Sequence, residues 1–129
     1  MDVPPTRILV VDDDCDFRSM LCRALKRLGY DVLDALNGRV ALQLLEARGV
    51  DLVITDVLMP DMEGVEFIDH LRRRYPTLPV VAISGGGRLL RSDCLNIARL
   101  IGARATLAKP FEIEELSGLL TEILTPSAG

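Results

Sequence analysis

Apolar residues fall along this chain in two alternating rhythms. Short unbroken runs rich in β-branched residues are separated by longer stretches in which apolar positions recur every three or four residues. The first rhythm predicts strands buried on both faces, the second amphipathic helices. Arg7-Ile8-Leu9-Val10-Val11 is the first run. The helix after it sets Phe17, Leu21, Ala24, Leu25 and Leu28 inward, with Asp14 as N-cap, Arg23, Lys26 and Arg27 near its end, and Gly29 as its stop. Asp31 to Leu36 predicts a shorter strand closed by Asn37-Gly38. Arg39 to Arg48 predicts a helix with Val40, Ala41, Leu44 and Leu45 inward, ended by Gly49.

The run from Asp51 to Asp56 predicts a third strand that ends abruptly on an acid. Pro60 and Gly64 shape the loop after it, and a helix from about Val65 to Tyr75 buries Phe67, Ile68 and Leu71. Leu78 to Ser84 predicts the fourth strand, broken by Gly85-Gly86-Gly87. A fourth helix buries Leu90, Cys94, Ile97, Ala98 and Ile101 before Gly102. Ala105 to Ala108 predicts a fifth strand running into Lys109-Pro110-Phe111. The last helix, Ile113 to Leu124, carries Leu116, Leu119, Leu120, Ile123 and Leu124.

Five strands alternating with five helices predict an α/β fold, a parallel sheet with helices on both faces and right-handed crossovers. In such a sheet all strand carboxyl ends share one rim, where open α/β sheets place their ligand crevices. Asp12, Asp13, Asp56, Ser84 and Lys109 all fall at or just past strand ends. Their convergence is the main expectation for function.

Composition narrows the classes. The 129 residues, 49% of them hydrophobic, suit one domain over 1–129 with a core of about 7–125. The net charge of −4 argues against nucleic acid as a non-specific partner. No apolar run approaches ~18 residues, so no membrane span is expected, and Met1 to Arg7 is too short and polar for a signal peptide. Cys15, Cys22 and Cys94 lack metal-ligand or CxxC spacing and read as free thiols in a reducing cytoplasm.

Three carboxylates in one crevice repel each other unless a cation neutralises them, and Mg²⁺ does so with carboxylates, waters and phosphate oxygens. A lysine and a hydroxyl opposite would suit a transferring phosphoryl group, and an Asp can accept it as an acyl phosphate. Together these residues point to phosphoryl transfer to an aspartate.

From Ile8 to about Leu124 the chain resembles the receiver domains of two-component response regulators. The resemblance rests on Asp12-Asp13 after Val-Val, on Asp56 within Thr-Asp-Val-Leu-Met-Pro-Asp-Met-Glu-Gly, on Ser84, and on Lys109-Pro110-Phe111. It implies a (βα)5 flavodoxin-like, doubly wound fold with Asp56 as phosphoacceptor. It further implies Asp12, Asp13, Asp56 and the Leu58 carbonyl around Mg²⁺, Ser84 and Lys109 on phosphoryl oxygens, and a cis Lys109-Pro110 bond. The implied donor is a phosphohistidine on a sensor histidine kinase or histidine phosphotransfer protein, and the implied reader a downstream effector.

Two positions depart from the family pattern. Thr106 replaces an aromatic, and Gly85-Gly86-Gly87 follows the hydroxyl residue. Both fall in the part that senses phosphorylation, and the loop after Ser84 is the expected switch, passed on by the fourth helix, fifth strand and fifth helix. Because the chain ends soon after the fifth helix, a stand-alone signalling module is expected, catalysing only its own phosphorylation and dephosphorylation. The wide apolar face of the last helix is either a generous core face or a surface, at Leu119 or Leu124, for a homodimer or effector.

Two other functions fit parts of the pattern. A haloacid-dehalogenase-like phosphohydrolase would use Asp12 as nucleophile and Asp14 as general acid, and a degenerate receiver would serve only as a scaffold. Asp14 and Asp16 otherwise read as capping residues and Asp61 as loop. His70 reads as a surface residue, and Arg72-Arg73-Arg74 as a solvated helix end.

Overall fold

A computed structural model describes residues 5–57, 64–85 and 102–125. These form strands β1 (Arg7–Val11), β2 (Asp31–Ala35), β3 (Leu52–Asp56), β4 (Val80–Gly85) and β5 (Ala105–Lys109). The described helices are α1 (Cys15–Arg27), α2 (Gly38–Ala47), α3 (Gly64–Arg74) and α4 (Ile113–Leu124). All strand pairs are parallel and the sheet order is β2-β1-β3-β4-β5. The order reverses beside β1, the switch point where doubly wound sheets open a crevice.

Strands β1 to β4 divide their apolar residues between two cores, and β5 adds to one of them. Leu9, Val11, Val53, Val80 and Ala82 pack with α2 and α3. Ile8, Val10, Ile54, Val81, Ile83 and Leu107 pack with α1 and α4. Two-sided burial is why β1, β3 and β4 read as unbroken apolar runs.

Local signals set most helix ends. The Asp14 side chain accepts from the main-chain N–H groups of Asp16 and Phe17, and Asn37 caps α2 through Val40. Gly29 ends α1 at a φ of 98°, a left-handed conformation that favours glycine. Phe67, Ile68 and Leu71 are fully buried, whereas His70 and Arg72 to Arg74 are exposed.

Several expectations need correction. Leu28 is exposed because it is the C-cap of α1, past the helical rhythm, and Cys22 takes a buried place instead. Leu36 lies beyond β2 and is also exposed. Gly85 does not break the chain but continues β4, opposite Lys109. On α4, Leu116 and Leu120 are buried, while Leu119, Ile123 and Leu124 pack partly buried on the same core, which accounts for much of its wide apolar face. The fourth expected helix, Gly86, Gly87, Cys94, Asp61 and Leu58 lie outside the described residues.

Candidate functional site

Sheet register explains how distant acids meet. Val11 pairs with Thr55, so Asp12, one residue on, is level with Asp56 at the end of β3. Asp56 pairs with Ile83, Ser84 with Ala108 and Gly85 with Lys109, which puts Lys109 two rows beyond Asp56 on the same rim. A lysine stem is long enough to reach back across that gap. Lys109 Nζ donates to Asp12 Oδ2 at 3.0 Å and to Asp56 Oδ2 at 3.3 Å.

Asp12 and Asp56 are buried and Asp13 is exposed, yet all three offer carboxylate oxygens within 4.8 Å of one another. Asp12 is held from several sides. Its Oδ1 accepts from the Asp14 N–H at 2.9 Å, and its own N–H donates to the Ala35 carbonyl at 3.2 Å. The Val57 N–H donates to the Ile83 carbonyl at 2.9 Å, which extends pairing just past Asp56. Ser84 is buried on the same rim, and among the described residues its hydroxyl has no hydrogen-bond partner. An unsatisfied buried hydroxyl is costly, and this one could both donate to and accept from a polar group placed beside it.

Burial works to lower the Lys109 pKa, but the Asp12 hydrogen bond and the charges of Asp56 and Asp12 outweigh it and hold the ammonium above the ordinary lysine value. A raised value means that the charge stabilises the fold below the unfolded lysine pKa, about 10.4, and that this contribution is lost as pH rises through the folded value. Wild type is therefore expected to exceed Lys109→Met in stability by a constant margin near pH 7–9. The margin should shrink above about pH 10, as checked by urea unfolding across that range. A margin that is flat to pH 12 would contradict the pairing.

The comparisons with known proteins fit this geometry. The family model described as response regulator receiver domain matches residues 8–121. The chain belongs to the response regulator receiver domains. It is 38% identical to response regulator MprA of Mycolicibacterium vanbaalenii, over 97% of this chain and 54% of that protein. It is 30% identical to sporulation initiation phosphotransferase F of Bacillus subtilis, over 92% of this chain and 93% of that protein. The solved receiver domain of NtrX from Brucella abortus superposes with a TM-score of 0.85 at 31% identity, covering 93% of this chain and 99% of that one. The chain spans only 24% and 54% of the length of the first curated relatives it matches.

As a receiver domain of two-component response regulators, the protein is a signalling module, and its acidic cluster fits a phosphoacceptor site. The donor set also fits a hard cation, because three acids face one lysine and carry an excess of negative charge. The Lys109-Pro110 bond is cis, as the resemblance implied. Asp14 is occupied as the α1 cap, so the general acid of the hydrolase alternative has another task.

Two contacts escaped the sequence reading. Arg18 Nη1 donates to the main-chain oxygen of Asp12 at 2.6 Å while its Nε donates to Asp34 Oδ2 at 2.8 Å, tying the acidic turn to the end of β2. Its lone position one turn into α1, far from the basic cluster at the helix end, was the available signal. Phe17, expected only as core, lies over the Lys109 ammonium with 3.9 Å from Nζ to the ring centroid.

Proposed function

We propose that Asp56 accepts a phosphoryl group from a donor phosphohistidine and thereby switches the domain between two states. The observation that carries this reading is the bridging of Asp12 and Asp56 by Lys109 beside a third acid. The donor's N–P bond breaks as an O–P bond forms at the Asp56 carboxylate. Lys109 holds negative charge on the transferring oxygens, and Ser84 offers one of them its hydroxyl, which has no partner among the described residues. Asp12, Asp13 and Asp56 would hold Mg²⁺, with the Leu58 carbonyl a further proposed ligand. When bound, the cation neutralises the carboxylates and the phosphoryl oxygens.

The domain, residues 7–125 at its core, catalyses only its own phosphorylation and dephosphorylation. A sensor histidine kinase or histidine phosphotransfer protein supplies the group, and a downstream effector or a second copy reads the state. Among the described residues no helix is long and apolar enough to cross a membrane.

The test is intact-mass analysis after incubation with Mg²⁺ and a small acyl-phosphate donor. One added phosphoryl group is expected, and none in the presence of chelator. Labelling that is indifferent to chelator would remove Mg²⁺ from the reading.

A binding measurement is independent of the chemistry. A cation that binds only the folded state at about ten times its Kd stabilises by ~1.4 kcal/mol, which for a domain of this size raises Tm by about 4–6 °C. Mg²⁺ is expected to give such a shift in wild type and to lose most of it in Asp13→Asn, followed by thermal melts across a Mg²⁺ titration. An equal shift in both proteins would place the ion elsewhere.

A further inference from the structure

Among the described residues the Lys109 ammonium has an aromatic neighbour as well as the Asp12 and Asp56 carboxylates. The Phe17 ring centroid lies 3.9 Å from Nζ, and the same ring meets Phe111 edge-to-face, centroids 6.0 Å apart at 82°. Phe17 stands in the first turn of α1, just after the segment that carries Asp12 and Asp13, and the Asp14 side chain accepts its main-chain N–H. Phe111 follows Lys109 by two residues and packs partly buried on the α1–α4 core. The aromatic pair thus joins the acidic turn to the lysine's own strand end.

Three physical consequences follow. The ring face carries partial negative charge and attracts the ammonium, more strongly as water is excluded. The ring also occupies space that water would fill around a lysine side chain only 19% exposed. A lysine stem otherwise samples many rotamers, and a face on one side with carboxylates on another removes most of them. The ring is at best a weak hydrogen-bond acceptor, so it restrains Nζ without tying up the N–H groups that phosphoryl oxygens would take.

We propose that Phe17 is a positioning residue for phosphoryl transfer, holding the Lys109 ammonium toward Asp56 by contact with its aromatic face, with Phe111 bracing the ring. This rests on the reading of Asp56 as phosphoacceptor. Packing alone would place any apolar side chain of similar volume at position 17. The positioning role instead requires the negative ring face, and that difference can be measured at constant size.

The experiment replaces Phe17 with mono-, di- and trifluorophenylalanine in the full chain, which drains the ring face of charge in steps while keeping its shape. Phosphorylation rate with Mg²⁺ and a small acyl-phosphate donor, Mg²⁺ affinity and Tm are measured for each, beside Phe17→Leu and Phe17→Tyr. The rate is expected to fall stepwise with fluorination and by about two- to fivefold in Phe17→Leu. Phe17→Tyr should restore it, while Mg²⁺ affinity and Tm stay constant across the fluorinated series. The Lys109 methylene protons should show an upfield ring-current shift in wild type and Phe17→Tyr that Phe17→Leu lacks.

If wild type is labelled on Asp56 and the rate is flat across the fluorinated series, the positioning role is overturned and the functional reading stands. If wild type takes no phosphoryl group at Asp56, the functional reading fails and the positioning role fails with it.

Discussion

Asp56→Asn is expected to reduce phosphoryl uptake to background. Asparagine keeps the size and shape of the side chain but offers an amide, which is a far poorer nucleophile than a carboxylate and cannot yield an acyl phosphate. The amide oxygen can still accept from Lys109 Nζ, which now lies 3.3 Å from Asp56 Oδ2, so the rim is expected to stay folded. Intact mass should show one added phosphoryl group in wild type and none in the variant, with unchanged circular dichroism. A phosphoryl group that persists in Asp56→Asn would move the acceptor to another acid. Peptide mapping would then separate Asp12, the nucleophile of the hydrolase alternative, from Asp13.

The second large effect is expected from a glycine that carries no functional group. Gly64 opens α3, and a Cβ built on it would press into the main-chain oxygens of Asp56 and Val57 and the carbonyl carbon of Val57, far inside van der Waals contact. These are backbone atoms at the end of β3 and cannot swing aside as the tip of a long side chain could. Gly64→Ala would gain helix propensity, worth about 1 kcal/mol at most. Against that stands overpacking of ~2–3 kcal/mol or more, as the start of α3 or the end of β3 is forced to move. The expected result is a Tm lower by about 5–10 °C. Phosphorylation should slow as well, because the displaced atoms include the main chain of Asp56. The same substitution at Gly49, where a Cβ would meet nothing within 4 Å, serves as the control and should leave both properties near wild type. If Gly64→Ala melts with wild type, the close approach of α3 to β3 is wrong.

Taken together, these variants separate two demands on one rim. Asp56, as the proposed acceptor, is expected to supply the chemistry and to tolerate change without harm to the fold. Gly64 supplies room, and its change harms both. Arg18 belongs to neither group alone. Its guanidinium joins the Asp12 carbonyl to Asp34, so it bears on the site through the main chain of a residue that contacts Lys109.

The sequence alone determined the local facts of this protein. Unbroken apolar runs marked β1, β3 and β4 because both faces of the sheet are covered there, and Asp14, Asn37 and Gly29 marked helix ends because caps act within a turn of themselves. The rim residues Asp12, Asp13, Asp56, Ser84 and Lys109 were legible for the same reason. Each lies at or beside the carboxyl end of a strand, and parallel strands put those ends together. Tertiary structure decided what depends on packing between distant segments. Lys109 reaches Asp12 across 97 residues of chain, and only the sheet register fixes that it spans Asp12 and Asp56 at once. The periodic pattern placed Phe17 inward but could not say that inward meant the face of an ammonium, because that contact depends on how α1 seats against the end of β5. Leu28 carried the right spacing and still faces water, since the helix had already ended beneath it. Gly64 read as a loop glycine. Its need for a bare Cα comes from the approach of α3 to the end of β3, a distance that no spacing along the chain encodes.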